Sequence, residues 1–281
     1  MDLGLAGKVA AITGGSRGIG RAVALSLAQE GCDVAICART TSDINQTVKD
    51  LQALGVRAAG YTIDVTTPGQ VEHFIDEAAT DLEGLDRLVA NVGATVGGTL
   101  LDSTPEDWAQ TFELNVFHAT RAIRAAVPHM RERDGSAIAI VASISGWKPS
   151  PKAQYGAAKA AEIYVAMALA RELAPDHIRI NTVSPGSILI PGGGWDLYRE
   201  REPERFQQFE QCDFPAHRLG TAEESPTSSH SSYRIAQAGS TAPTSVLMAP
   251  KTDPAPRPGS RRADNLITRR RDPGRHICRV C

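Results

Sequence analysis

Apolar positions in the first 183 residues gather into six short runs: "KVAAIT" (8–13), "DVAICA" (33–38), "VRAAGYTI" (56–63), "LDRLVA" (85–90), "SAIAIVAS" (136–143) and "IRINTV" (178–183). Short apolar, largely β-branched runs bounded by turn formers predict strands. Between them, apolar residues recur every three or four positions over Gly18–Glu30, Ser42–Leu54, Pro68–Asp81, Pro105–Arg133 and Gln154–Leu173, which predicts helices. Pro68 and Pro105 each follow a threonine, and both are placed at the first helical position. Strands alternating with helices make βαβ units. The expected fold is therefore α/β: a doubly wound parallel sheet (a Rossmann fold) covered on both faces.

The alternation stops at Ser225. Residues 225–281 hold ten of the chain's 30 Lys and Arg, three of its 32 acids and seven of its 17 prolines. Such turn-rich, charged sequence is expected to be disordered. One domain is thus expected over residues 1–224, with a basic tail at 225–281. No stretch of about eighteen apolar residues occurs, so no membrane span is expected. The start lacks a basic segment followed by an apolar one, and the five cysteines are odd in number and scattered. Both point to a cytoplasmic protein with reduced thiols. "HICRVC" (276–281) offers at most three metal ligands, and no metal site is expected.

"VAAITGGSRGIGRAVA" places Gly14, Gly18 and Gly20 between the first strand and the first helix. Glycines there permit a tight turn and let backbone N–H groups approach a pyrophosphate at a helix N-terminus. Ser16, Arg17 and Ile19 complete the expected phosphate-binding turn. Cofactor choice follows from charge. An NAD site usually has an acid at the end of the second strand for the ribose 2′-hydroxyl, whereas this strand ends in Ala38-Arg39. Two cations, Arg17 and Arg39, and no carboxylate suit a 2′-phosphate, so NADP(H) is expected over NAD(H).

"VASISGWKPSPKAQYGAAKAAE" carries the chemistry. Tyr155 and Lys159 lie four apart on a predicted helix, hence on one face. A phenol titrates near 10, and a neighbouring ammonium favours its ionised form. Ser143, at the end of the preceding strand, can hydrogen-bond a carbonyl oxygen.

With these motifs in order over about residues 5–224, the chain resembles the short-chain dehydrogenase/reductase family. The matching features are Thr13–Gly20, Asp64-Val65, "ANVGA" with Asn91 and Gly93, Asn115, Ser143 in S-x-x-G, "YGAAK" and Pro185-Gly186. The resemblance implies that Tyr155 is the general acid of carbonyl reduction, with Lys159 holding the nicotinamide ribose and Ser143 orienting the substrate oxygen. Asn115 would anchor a water leading protons to Lys159. Asp64 and Val65 would contact adenine, and Asn91 and Gly93 would lie along the cofactor. Pro185 and Gly186 would border it too, and the backbone of Ile188 would meet the nicotinamide amide. Ile190 stands where the family often has a phosphate-binding Thr. A lid over about 187–220 is expected, hinged at Gly192-Gly193-Gly194, with Trp195, Tyr198, Phe206 and Phe209 walling an apolar pocket.

The resemblance is nearest to the 3-oxoacyl-(acyl carrier protein) reductase branch. The implied substrate is a small-molecule carbonyl compound, free or borne on an acyl carrier protein; Arg131, Arg133 and Arg171 are the candidate docking cations. Dehydrogenation of a steroid, polyol or other secondary alcohol stays open, as does a non-catalytic NADP-binding role. A family-like homotetramer or dimer is implied for a chain with the family's intact C-terminus, with neither nucleic acid nor membrane as partner.

The family's chain would continue with a Val-Ala-rich helix and a last strand. If the last base of each codon is read with the first two of the next, Ser225–Ser229 can become Val-Ala-Asp-Val-Val. Ser240–Ala249 can likewise become Val-Asn-Gly-Thr-Asn-Ile-Arg-Val-Asp-Gly, close to the family's last strand. The expectation is a one-base deletion near codon 225, and a frame-restored chain that is more stable and more active.

Overall fold

The computed structural model describes residues 3–224. The expectations for the 225–281 tail and its shifted frame lie outside the described residues.

All six predicted strands form: β1 (Val9–Thr13), β2 (Asp33–Ala38), β3 (Ala58–Thr62), β4 (Arg87–Ala90), β5 (Ala137–Val141) and β6 (Arg179–Val183). They pair in parallel in the order β3-β2-β1-β4-β5-β6. Every residue of β1, β4 and β5 is buried, as continuous apolar runs require when helices cover both faces. Helices α1 (Gly18–Gln29) and α2 (Thr41–Gln52) pack on one face. On the other lie α3 (Gln70–Asp81), α5 (His118–Arg131) and α6 (Ala153–Glu172). Strand order reverses direction between β1 and β4, which opens a crevice at the carboxyl ends of the strands.

Two helix expectations need correction. α3 starts at Gln70, not Pro68: Gly69, at φ +80°, caps it, and Pro68 stays outside. The single helix expected over 105–133 is two. A capping box of Thr104 and Asp107 starts α4 (Pro105–Phe112), and a π-helical turn at Glu113–Phe117 separates it from α5. Such wide turns often mark functional positions, and this one holds Asn115.

Beyond β6 come α7 (Gly194–Arg201) and α8 (Pro203–Asp213). The segment closes at its base, where Leu189 N donates to Gly220 O at 2.8 Å and Gly220 N to Ser187 O at 3.0 Å. Gly192-Gly193-Gly194, expected as a hinge, leads into α7, with Gly193 as its N-cap, and Gly192 N donates to Asp196 Oδ2 at 2.8 Å.

Candidate active site

The glycine turn is shaped by close approach of backbone to backbone. A Cβ on Gly20 would stand 2.2 Å from Gly14 O and 2.5 Å from Asn91 Nδ2. Gly14 and Gly18 sit at φ +68° and +54°, where an L side chain is strained. Asn91, expected along the cofactor, stitches β4 to this turn: its Nδ2 donates to Thr13 O at 3.1 Å and Gly14 O at 3.2 Å. Thr13 Oγ1 accepts from Asn91 N at 3.0 Å. Ser16 is buried and its carbonyl accepts from Thr47 Oγ1; Ile19 packs among the core residues of α1, while Arg17 stays exposed. Ile190 lies over the turn, its Cδ1 3.1 Å from where a Gly18 Cβ would be, so methyl groups occupy the position of the family's hydroxyl. These glycines form a cradle that side chains would fill, and it fits a dinucleotide's phosphates.

Arg39 is exposed at the end of β2. Asp64 lies across from it: bonds from the Thr66 hydroxyl and backbone N–H, with a smaller pull from the Arg39 charge, hold its carboxyl below the usual range. Val65, beside Asp64, is buried. Arg39, Asp64 and Val65, expected at the adenosine end, therefore share one neighbourhood at the edge of the crevice.

Around the reacting position, α6 supplies Tyr155 and Lys159. Lys159 is 2% exposed, and its Nζ donates to Val141 O at 2.9 Å and Glu162 Oε1 at 3.1 Å, 5.7 Å from the centre of the Tyr155 ring. Ser143 begins the 3₁₀ turn after β5, its Oγ accepting from Ser145 N at 3.1 Å. Gly146 brings this turn onto α6, since a Cβ there would meet Lys159 O at 2.9 Å. Gly93 sits where two side chains converge: a Cβ on it would stand 2.8 Å from Lys159 Nζ and 2.9 Å from Asn115 Oδ1. Asn115 Nδ2 donates to Ala94 O at 2.7 Å and Thr111 O at 2.6 Å, which turns its buried Oδ1, without a protein partner, toward the lysine. An acceptor held there fits a water-mediated path to the ammonium.

Pro185 and Gly186 follow β6 at the same edge, and Ile144 N donates to Pro185 O at 3.1 Å. The parallel bridge of Ile188 with Gly220 uses the neighbours Ser187 and Leu189, leaving the N–H and C=O of Ile188 directed to the opposite side. That orientation suits a backbone contact with an amide.

Three residues of the site escaped the sequence reading. Glu162 pairs with Lys159 at 3.0 Å, both 2% exposed, and burial pushes its carboxyl up to about 7 against the pull of that ammonium. Its signal was an acid three residues after the lysine, on the same helix face. His118 is fully buried, and burial together with the Lys159 charge lowers it to about 3, so it is neutral. Gln154 is fully buried beside Tyr155.

Trp195, Tyr198, Phe206 and Phe209, expected as pocket walls, pack on one another: Trp195 stacks on Phe209 at 4.8 Å and Tyr198 meets Phe206 at 6.0 Å, with Phe206 buried and the other three half-buried. Arg131, the last residue of α5, and Arg133, just past its C-cap, both expected as docking cations, lie beside the amino ends of the strands, opposite the site. Arg131 pairs with Asp176 at 2.8 Å and Arg133 donates to Glu83 O at 2.6 Å. The helix containing Arg171 likewise ends there. Among the described residues no cluster able to hold a metal ion occurs, and no helix is long and apolar enough to cross a membrane.

A family model for short chain dehydrogenases matches residues 8–192. An uncharacterized oxidoreductase of Mycobacterium tuberculosis is 39% identical over 184 residues, 65% of this chain and 70% of that protein. L-sorbose reductase from Gluconobacter frateurii, complexed with NADPH and L-sorbose, superposes with a TM-score of 0.75 at 33% identity, over 82% of this chain and 90% of that one. NAD+-bound xylitol dehydrogenase gives 0.72 at 29% identity, over 79% and 90%. The chain belongs to the short-chain dehydrogenase family. It is an oxidoreductase of alcohol and keto groups that works with a nicotinamide cofactor.

Proposed function

We propose that this protein reduces a small-molecule ketone to a secondary alcohol with NADPH, with the reverse dehydrogenation open to the same residues. The observation that carries the reading is the convergence of Lys159 and Asn115 at Gly93, with the Tyr155 ring centre 5.7 Å from Lys159 Nζ and the Ser143 turn held against the same helix by Gly146. When bound, the nicotinamide supplies the hydride. Ser143 Oγ holds the carbonyl oxygen, and the Tyr155 hydroxyl gives that oxygen its proton. Lys159 keeps a positive charge beside the phenolate so formed, and Asn115 Oδ1 fixes the path by which the proton returns. Arg17 and Arg39 support NADPH, since both are exposed at the adenosine end and Asp64 is tied to Thr66. A 3-oxoacyl thioester remains one substrate class of this reading. Docking of a carrier protein loses its support, because its expected cations lie at the opposite edge. A second copy of the chain is proposed to pack on the outer face of α5 and α6. A groove of about 460 Å³ runs there beside Ile123, Val127, Tyr164 and Leu169, and Tyr164 is 69% exposed.

The test is NADPH oxidation by the purified protein with ketoses, 3-oxoacyl thioesters and ketosteroids. Tyr155→Phe is expected to lower turnover on the best substrate by at least about a hundredfold, the scale of a general acid. NADPH binding, followed by its fluorescence, is expected to persist. A variant that kept more than about a tenth of the rate would remove Tyr155 from the role.

A further inference from the structure

The connection from β4 to α4, residues 94–104, forms no helix or strand, yet its carbonyls are held from elements that carry the site. Asn115 Nδ2 takes Ala94 O at 2.7 Å. Lys152 Nζ takes Gly97 O at 3.0 Å. Gln154 Nε2 takes Val96 O at 2.9 Å and Gly98 O at 3.2 Å, and it lies 3.2 Å from Ser103 Oγ. Ser103 Oγ in turn accepts from Gly98 N at 3.0 Å, and Thr111 Oγ1 from Val96 N at 3.1 Å. Gln154 is 0% exposed. The two carbonyls it meets can only accept, so its amide must present both hydrogens to them. An apolar side chain of the same size would take this donor from Gly98 O and leave Val96 O only the long 3.5 Å bond from Thr111 Oγ1, and a desolvated carbonyl so deprived is costly.

The segment leaves the sheet at the carboxyl edge, directly after Asn91 and Gly93, and Gln154 immediately precedes Tyr155. One side chain therefore couples the phenol's helix to the stretch of backbone that borders the reacting position from the β4 side. Its tip, Leu100 and Leu101, stays 67% and 94% exposed. We propose that Gln154 is a specificity-determining positioning residue, which locks residues 94–104 as a fixed wall of the substrate site. The proposal rests on the reductase reading above. It assigns Gln154 to substrate binding and leaves the cofactor to the glycine turn, which Gln154 does not touch.

The experiment compares Gln154→Met, which keeps the volume without donors, with Gln154→Asn, which keeps both hydrogens on a shorter arm. KM and kcat are measured on the best ketone of the screen, NADPH Kd by fluorescence, and amide hydrogen exchange over 94–104. The expected result is a KM raised about tenfold in Gln154→Met, corresponding to the loss of one or two modest hydrogen bonds. kcat and NADPH Kd are expected within about twofold on the same scale, with faster exchange confined to 94–104. Gln154→Asn is expected to fall between wild type and Gln154→Met. A packing role reverses that order, with Gln154→Met nearer wild type, and would overturn the proposal. So would an unchanged KM, or a KM and an NADPH Kd that worsen together. If the wild-type chain reduced no ketone, the reductase reading would fail by itself. The exchange data would still decide the lock, and unchanged exchange over 94–104 in Gln154→Met would refute it.

Discussion

Two glycine-rich stretches, "TGGSRGIG" at 13–20 and "PGGG" at 191–194, look alike along the chain and are built differently. In the first, the backbones of the turn and α1 approach so closely that Gly20 has no room for a methyl group. In the second, Gly192 and Gly194 have nothing within 4 Å of a would-be Cβ, Gly193 meets only Ile190 three residues before it, at 2.9 Å, and the turn is held by the Asp196 carboxylate. The contrast extends to the regions around them. The sheet and its covering helices bury Phe74 completely, while the aromatics of the α7–α8 hairpin pack mainly on one another. Composition alone therefore does not tell a ligand cradle from a helix start. The distance to the next backbone does.

The largest contrast is expected from phenylalanine truncation. Phe74→Ala is expected to cost about 3–5 kcal/mol of global stability, as for a large core residue. Phe209 is half-buried, so Phe209→Ala gives up less buried area together with three ring pairs worth about 0.5–1.5 kcal/mol each, and is expected to cost less than Phe74→Ala. Thermal unfolding of both variants checks this, and equal losses would make the hairpin part of the same core.

Alanine at the two glycines comes next. Gly20→Ala is expected to cost up to about 3 kcal/mol, the upper range of overpacking, and to weaken NADPH binding in step with the displaced turn. Gly194→Ala is expected to be neutral within about 0.5 kcal/mol. Melting temperature together with NADPH titration separates them, and a Gly20→Ala protein that binds NADPH normally would break the distinction.

Charge at the end of β2 has a smaller reach. Arg39→Asp removes a charge-assisted contact of about 1.5–3 kcal/mol, and is expected to shift kcat/KM from NADPH toward NADH by about tenfold or more. Unaltered preference would take Arg39 out of the phosphate site.

The last effect, gradual in pH, concerns Glu162. Burial raises its carboxyl from 4.5 to about 7, so the folded state keeps this proton longer than the unfolded chain does. That contribution to stability is present in full below pH about 4.5 and is lost as pH rises through about 7. Glu162→Gln lacks it. Relative to wild type, the variant is expected to gain stability across that window, by about 1 kcal/mol or less per pH unit. Parallel stability curves for the two proteins from pH 4.5 to 7 would contradict the raised value.

The alternation of apolar runs and helical spacing determined six strands and their covering helices, because strand and helix periods are set within a few residues. The glycine turn and the Tyr155/Lys159 pair were legible for the same reason, being local spacings on one turn or one helix face. Element ends were less so: Gly69 rather than Pro68 opens α3, since a left-handed cap depends on backbone geometry that spacing does not encode. Only the tertiary structure decided what meets across the sheet. The meeting of Gly93, Asn115 and Lys159 joins β4, the π-helical turn and α6. The lock of Gln154 on Val96 and Gly98 spans 58 and 56 residues. Arg131 and Arg133 fell at the wrong edge because the direction in which a helix runs across the sheet, not its charge, fixes where its last turn ends. The hairpin aromatics turned toward one another because burial against the nearest apolar partner is favourable wherever that partner lies.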